Sequence, residues 1–115
     1  MSRRIVIVGA GPAGMRAAER VVAAGERPVV IDEAARFGGQ IYRQPPAVMR
    51  RERSDLYGFE AGRAGAVLDR FEALLPSIDY RPSTLVWQIE RDAKTLQLLR
   101  GGRVEALGFD ALILA

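Results

Sequence analysis

The sequence predicts an α/β fold in which a parallel sheet with crossover helices receives an inserted antiparallel β-meander. Three observations support this prediction. Two aliphatic runs, at 5–8 and 29–31, flank a helix-like segment, as in a strand–helix–strand unit. Three short strand-like segments follow each other closely between 84 and 106. A further continuous aliphatic run, at 109–115, is typical of a parallel strand buried on both faces.

Composition indicates a globular domain and excludes several kinds of chemistry. The chain has 115 residues, enough for one domain, and 49% of them are hydrophobic while 27% are charged. It contains neither cysteine nor histidine. A disulfide framework, a thiolate or imidazole metal site and a C-x-x-C redox pair are therefore excluded within this sequence, and no metal site is predicted.

Charge and hydropathy limit the expected partners. The net charge is only +3, and the arginine-rich stretch at 50–55, RRERSD, is mixed in sign and lacks interleaved aromatic residues. Nucleic-acid binding is therefore not expected. No apolar run approaches the length of a membrane span, and the short run after the N-terminal arginines is broken by glycine and proline, which argues against a signal peptide. We accordingly expect a cytoplasmic protein.

The first strand, predicted at Ile5–Val8, runs into a glycine motif with G-x-G-x-x-G spacing. Gly9 allows the tight turn, Gly11 lets the backbone approach a pyrophosphate, and Gly14 lets the helix pack closely on the strand. Pro12 suits the first helical turn, whose N–H groups have no partner within the helix. Such a turn presents free N–H groups and a positive dipole end, so the stretch predicts a Rossmann-like dinucleotide site.

The next two elements complete the unit. A helix is predicted at 13–24, with Ala17, Val21 and Ala24 facing the sheet and Gly25 ending it. The second strand is predicted at 28–31 and is followed at once by Asp32. This acid lies 18 residues after the last glycine of the motif, close to the spacing expected for the carboxylate that binds a ribose hydroxyl.

The middle of the chain predicts an irregular segment and a second helix. Turn signals, Gly38-Gly39 and Pro45-Pro46, mark the segment from 32 to 46. A helical pattern then covers 55–75, and Pro76 ends it. The positions expected to be buried on this helix are Leu56, Val67, Leu68, Phe71 and Leu74.

The meander is predicted at about 84–106. Its strands are expected at 84–89, 95–99 and 103–106, with a hairpin turn at 100–102. Val86 and Trp87 are neighbours on the first of these strands, so one faces inward and the other outward, and Trp87 is predicted to be a packing residue. A return strand at 109–115 would rejoin the parallel sheet.

Taken together, these elements resemble the flavin-binding domain of two-dinucleotide-domain flavoproteins, the relatives of glutathione and thioredoxin reductases. The resemblance covers essentially the whole chain, 1–115, as an N-terminal FAD-binding domain. In that family the return strand continues into a Thr-Gly loop. We therefore expect this sequence to be part of a longer polypeptide and to stop just before that loop. An exposed edge of the return strand would favour self-association.

The phrase GGQIYRQPP, at 38–46, narrows the resemblance. It is similar to the flavoprotein subunits of opine oxidases, hydrogen cyanide synthase and proline or hydroxyproline dehydrogenases. That similarity implies a hetero-oligomeric oxidoreductase with partner subunits, which oxidises the C–N bond of a small amine or amino-acid-type substrate by hydride transfer to FAD. NAD(P) is expected in a second domain of the parent protein. The chain departs from the reductase branch because it lacks the redox C-x-x-C pair.

The resemblance also implies roles for individual residues. The glycine turn would surround the FAD pyrophosphate, Asp32 would accept hydrogen bonds from the adenosine ribose with Glu33 beside it, and Val86 would contact the adenine. Most relatives have the longer glutamate where this chain has Asp32. The full set of predicted cofactor-binding residues is Gly9, Gly11, Pro12, Ala13, Gly14, Asp32, Glu33, Gly38, Gly39, Gln40 and Val86. No residue is predicted to be catalytic.

Two other functions are consistent with the same residues. A nicotinamide-binding reductase could use the same glycine turn, and Asp32 would then favour NAD over NADP. A non-enzymatic nucleotide-binding or assembly module would need the turn but no substrate. The meander and the GGQ segment favour the flavoprotein, because simple nicotinamide domains continue with alternating strands and helices.

Overall fold

The computed structural model describes residues 3–35 and 61–115, with only the backbone described at 61–64. The described elements, in chain order, are β1 (Ile5–Val8), α1 (Pro12–Ala23), β2 (Val29–Ile31), α2 (Ala61–Leu74), a 3₁₀ turn (Leu75–Ser77), β3 (Asp79–Arg81), β4 (Leu85–Glu90), β5 (Thr95–Arg100), β6 (Arg103–Gly108) and β7 (Ala111–Leu114).

Four strands form a parallel sheet in the order β3-β2-β1-β7, and β4-β5-β6 form an antiparallel meander. The most hydrophobic strands, β1 and β2, occupy the centre of the parallel sheet, and Val6 lies opposite both Val29 and Leu112. The return strand β7 pairs in parallel with β1 over all four of its residues. The predicted fold class, a parallel sheet with helices and an inserted meander, is therefore confirmed.

The parallel sheet is covered on both faces because its side chains alternate. Ile7 and Val30 point to the helical side, where they pack in a buried cluster with Met15, Phe71 and Leu68. The next residues along the same strands point to the other side and pack against the meander. That second cluster contains Val6, Val29, Ile31, Leu96, Leu98 and Leu107. The domain thus has three layers, and its two cores share one sheet.

Helix α1 presents a slightly different face to the sheet than the spacing predicts. Met15 and Ala18 are fully buried, and Ala17 and Val21 pack against the same cluster. Ala24, expected to face the sheet, is exposed and lies beyond the last helical residue. The helix ends at Ala23, and the predicted terminating glycine, Gly25, follows two residues later with a φ of 89°, in the left-handed region that glycine tolerates.

The meander contains the predicted hairpin and one irregularity. Gly101 and Gly102 have φ values of 55° and 77°, the conformation of a two-residue type I′ turn between β5 and β6. The β4–β5 register shifts between Val86 and Gln88, which leaves Trp87 as the extra residue of a β-bulge. Trp87 is 51% exposed, so the prediction that it packs in the interior is wrong.

Strand β3 was not predicted by the hydrophobic pattern. Its three residues, Asp-Tyr-Arg, are too few and too polar to show strand periodicity, yet they pair with β2 along its whole length. Helix α2 begins at Ala61 in the described part of the chain, and Leu68 and Phe71 are buried in it as expected. The predictions at 36–60, including the turns at 38–39 and 45–46 and the buried Leu56, lie outside the described residues.

None of the helices within 3–35 and 61–115 is long and apolar enough to cross a membrane.

Candidate functional site

The glycine turn lies at the carboxyl end of β1, and its geometry requires the first glycine. Gly9 has a φ of 117°, and its N–H donates to the carbonyl of Ile31 at 2.7 Å, which ties the turn to the end of β2. A Cβ on Gly9 would lie 2.6 Å from the carbonyl oxygen of Ala115. Both the backbone conformation and the space therefore favour glycine at this position.

Gly14 is required for a different reason. It is buried in the first part of α1, and a Cβ added there would overlap the carbonyl oxygen of Gly9. The oxygen belongs to the backbone of the tight turn, so it cannot move aside as a flexible side chain would. The close packing of helix on strand that the spacing predicts for Gly14 is thus confirmed.

The N-terminus of α1 has no capping side chain and no acidic residue in its first turn among the described residues. Gly11 is its extended N-cap residue (φ −76°, ψ −174°), and no side chain caps the helix there. Pro12 occupies the first helical position, and the first turn contains no acidic residue. The N–H groups of such a turn have no partner within the helix, and the helix dipole adds partial positive charge. Among the described residues, this end of the sheet therefore offers backbone donors to a phosphate.

Asp32 joins the two halves of the site. Its Oδ2 accepts the N–H of Ala10, inside the glycine turn, at 2.5 Å. Its Oδ1 accepts the N–H of Ala34 at 2.7 Å. An ionised carboxylate has about four lone-pair positions, so each oxygen retains capacity for a further hydroxyl donor. The half-buried carboxylate is thus oriented by the backbone and can still accept hydrogen bonds from a ribose.

A cleft of about 230 Å³ brings the predicted residues together at the carboxyl ends of β1 and β2. Gly9, Asp32, Glu33 and Val86 all line it, although Val86 is more than fifty residues from Asp32 in sequence. The complete lining is Val8, Gly9, Ile31, Asp32, Glu33, Thr84, Leu85, Val86 and Ala115.

The other predicted residues fall into two groups. Gly11, Pro12, Ala13 and Gly14 form the start of α1, next to this cleft in the chain but not among its lining residues. The predicted Gly38, Gly39 and Gln40 lie outside the described residues.

Thr84 is a lining residue that sequence reasoning missed. It is 2% exposed, its hydroxyl donates to the carbonyl of Pro82 at 2.9 Å, and its N–H donates to the carbonyl of Asp32 at 2.9 Å. It therefore attaches the start of the meander to the end of β2. The available signal was its position two residues before Val86, on the same side of an extended segment. Leu85 and Ala115 also line the cleft and were also missed, because only the folded chain brings them to this end of the sheet.

These features fit a dinucleotide with an unmodified adenosine ribose. Gly9 and Gly14 form a cradle that a Cβ would fill, the helix start offers donors for a pyrophosphate, and Asp32 offers acceptors for ribose hydroxyls. A phosphate on the 2′-oxygen would face the carboxylates of Asp32 and Glu33, so NADP fits less well. Within the described part of the chain, no group of three acidic residues is placed to hold a metal ion.

Comparison with known proteins agrees with this geometry. Residues 3–115 match the family described as pyridine nucleotide-disulphide oxidoreductase. The chain is 37% identical to an opine oxidase subunit of Rhizobium meliloti over 96% of its length and 22% of the relative's. It is 53% identical to hydrogen cyanide synthase subunit HcnB of Pseudomonas protegens over 39% of its length and 10% of the relative's. The chain thus spans about a fifth of the length of the Rhizobium meliloti relative, which matches nearly all of this chain.

Solved structures share the fold at low sequence identity. Bacillithiol disulfide reductase from Bacillus cereus superposes on 99% of this chain, and 28% of that protein is covered, with a TM-score of 0.66 and 19% identity. A water-forming NADH oxidase from Lactobacillus brevis gives a TM-score of 0.70 at 14% identity over 99% of this chain and 25% of that protein. The predicted kinship with FAD-dependent oxidoreductases is confirmed: the chain belongs to the pyridine nucleotide-disulphide oxidoreductase family.

Proposed function

We propose that this chain is the FAD-binding part of a flavin-dependent oxidoreductase, and that the whole enzyme oxidises the C–N bond of an amine or amino-acid-type substrate. The observation that carries the proposal is the carboxylate of Asp32. It is hydrogen-bonded to the glycine turn through Ala10 and lines the same cleft as Gly9 and Val86. One carboxylate would therefore adjoin both the backbone proposed to bind the pyrophosphate and the cleft proposed to hold the adenine.

Each part of the cofactor has residues suited to hold it. Asp32 would accept the hydroxyls of the adenosine ribose, with Glu33 beside it. The adenine would lie against the start of β4, where Leu85 and Val86 supply apolar surface. Gly11, Ala13 and Gly14 would supply backbone to the pyrophosphate, and Pro12 would hold the helix start in shape. The role proposed for Gly38, Gly39 and Gln40 is to pass close to the pyrophosphate and flavin.

The redox chemistry belongs to the cofactor. A bound flavin would supply the acceptor for the hydride of the substrate carbon, while the protein would bind, orient and tune the flavin. The described residues of this chain would fix the adenosine half and exclude water from it. We assign no catalytic residue to them, so the substrate pocket is proposed to lie elsewhere in the parent protein or on partner subunits.

The substrate class rests on the curated relatives. Two of them are subunits of opine oxidases, and a third is a subunit of hydrogen cyanide synthase. Because all three are named as subunits, they support a hetero-oligomeric enzyme for this chain too. NAD remains the second candidate ligand of the cleft, because Asp32 would bind its adenosine ribose equally well.

A direct test uses the intact parent protein with its partner subunits. We expect the purified complex to show the visible absorption bands of a flavin, and an opine such as octopine to bleach them under anaerobic conditions. Titration of the cofactor-free protein should show tighter binding of FAD than of NADH. Absence of flavin bands together with no recovery on adding FAD contradicts the cofactor. Flavin bands that no amine substrate bleaches contradict the substrate class and favour a nucleotide-binding or assembly module.

A further inference from the structure

A second cleft, of about 700 Å³, opens at the amino ends of the parallel strands, at the end of the sheet opposite to the Asp32 cleft. Most of its lining residues precede or start β1, β2, β3 and β7. The turn between β4 and β5 contributes Lys94 to the same lining as Arg4 and Arg27. Arg3 is the fourth cation in the lining. Three separate regions of the chain therefore contribute positive charge to one concave surface.

The two acids of this cleft already have partners. Asp110 accepts the backbone N–H of Arg4 through Oδ2 at 2.7 Å. Asp79 forms an ion pair with Arg81 at 3.1 Å, and a second Arg81 nitrogen donates to the other carboxylate oxygen. Four cations therefore line the cleft with two carboxylates, one of which is paired with Arg81, and this leaves an excess of positive charge.

The cations differ in how firmly they are held. The Arg27 guanidinium donates to the carbonyl of Ile78 at 3.1 Å through one of its five N–H donors, which fixes its head at the cleft. The exposed side chains of Arg3, Arg4 and Lys94 take part in no ion pair with any other described residue. The lining also includes the buried Val29 and the half-buried Phe109, which add apolar surface to the cleft.

We propose that this amino-end cleft binds a small phosphate-bearing anion of the polyphosphate class. Guanidinium forks match phosphate oxygens in geometry, and the lysine adds a mobile point charge. The volume lies within the range of about 300–1,000 Å³ that is typical of small-ligand pockets. A concave basic cleft suits a compact ligand, whereas nucleic acid would need an extended basic stripe. The site is separate from the Asp32 cleft, so it does not depend on the proposed cofactor.

The test is a titration of the intact parent protein, labelled with ²H and ¹⁵N, with sodium tripolyphosphate at low salt. We expect amide shifts at Lys94, Phe109 and Asp110, and an affinity that falls as salt is raised. The Arg4→Gln/Lys94→Asn variant should bind on the order of a hundredfold more weakly, at roughly tenfold for each charge-assisted contact. Asparagine suits position 94 because the φ of Lys94 is 49°.

The matched control is Arg100→Gln/Arg103→Gln, which removes two exposed cations from the β5–β6 hairpin and should leave binding unchanged. Equal losses in the two double variants would overturn the proposal, as would shifts confined to the glycine turn. Equal affinity for sulfate would mean an adventitious ion only. Tighter binding of a tetraglutamate peptide than of tripolyphosphate would also overturn it, and would identify an acidic protein segment as the ligand.

Discussion

The two ends of the parallel strands, called here the carboxyl edge and the amino edge, present different kinds of binding group. At the carboxyl edge, backbone N–H groups of a glycine turn and the carboxylate of Asp32 surround a cleft of about 230 Å³. At the amino edge, arginine and lysine side chains surround a cleft of about 700 Å³. The first edge would bind phosphate through fixed backbone, and the second through charged side chains. Recognition at the carboxyl edge should therefore be sensitive to single-atom changes, while recognition at the amino edge should be sensitive to salt.

The largest effect is expected from Gly14→Ala, which breaks the backbone-built edge. The added methyl group would overlap the Gly9 carbonyl oxygen, and a backbone oxygen in a tight turn cannot yield. We expect the free energy of unfolding to fall by about 3 kcal/mol, the upper part of the usual range for overpacking. Urea denaturation followed by circular dichroism measures the loss, and cofactor affinity should fall with it.

Gly25→Ala is the matched control. Gly25 ends the same helix with a φ of 89°, but a Cβ there would have no atom within 4 Å. Its substitution strains the backbone without a collision and should cost about 1 kcal/mol. A loss at Gly14 no larger than that at Gly25 would show that the close helix–strand contact is unimportant.

The two edges also differ in how far the sequence predicts them. Gly14 and Asp32 follow each other at a spacing set by one strand–helix–strand unit, so local pattern places them correctly. The amino-end cleft joins Arg4, Arg27 and Lys94, which are far apart in sequence, and only the sheet order and the β4–β5 turn bring them together. Side chains assembled by topology leave no periodic signal.

Tertiary contacts also explain why some features of the fold were predicted wrongly or not at all. Strand β3 forms because β2 offers an unpaired edge to a short polar segment, which is a tertiary effect that propensity does not record. Trp87 is exposed because its neighbour Val86 takes the inward position on β4, so Trp87 points outward, and the sequence does not mark which of the two faces the core. The position of Asp32 was predictable, but its hydrogen bonds to Ala10 and Ala34 were not, since they depend on the exact path of two turns.

Asp32→Asn should have the next largest effect. An amide has one acceptor oxygen where the carboxylate has two, so its NH₂ group would face the N–H of either Ala10 or Ala34. Ala10 is fully buried, and an unsatisfied donor there is costly. We expect a loss of about 2 kcal/mol in the free energy of unfolding and weaker binding of FAD. Chemical denaturation and fluorescence titration measure the two effects separately.

Glu33→Gln serves as the comparison for Asp32, because it changes the adjacent charge on an exposed residue that lines the same cleft. Stability should stay at the parent value, and any change in FAD affinity should be much smaller than for Asp32→Asn. If both variants weaken FAD binding equally, the effect arises from net charge near the cofactor and not from the hydrogen bonds of Asp32.

The smallest effect is expected from Thr84→Val, which tests how the meander is attached to the carboxyl edge. Valine keeps the shape of threonine but removes the hydroxyl that donates to the Pro82 carbonyl. We expect the free energy of unfolding to fall by about 1 kcal/mol. FAD affinity should fall slightly, because Thr84 also lines the cleft. Thr84→Ser keeps the hydroxyl and should retain the FAD affinity. A serine variant that loses FAD affinity while the valine variant keeps it would show that packing of the methyl group, and not the hydrogen bond, holds the meander in place.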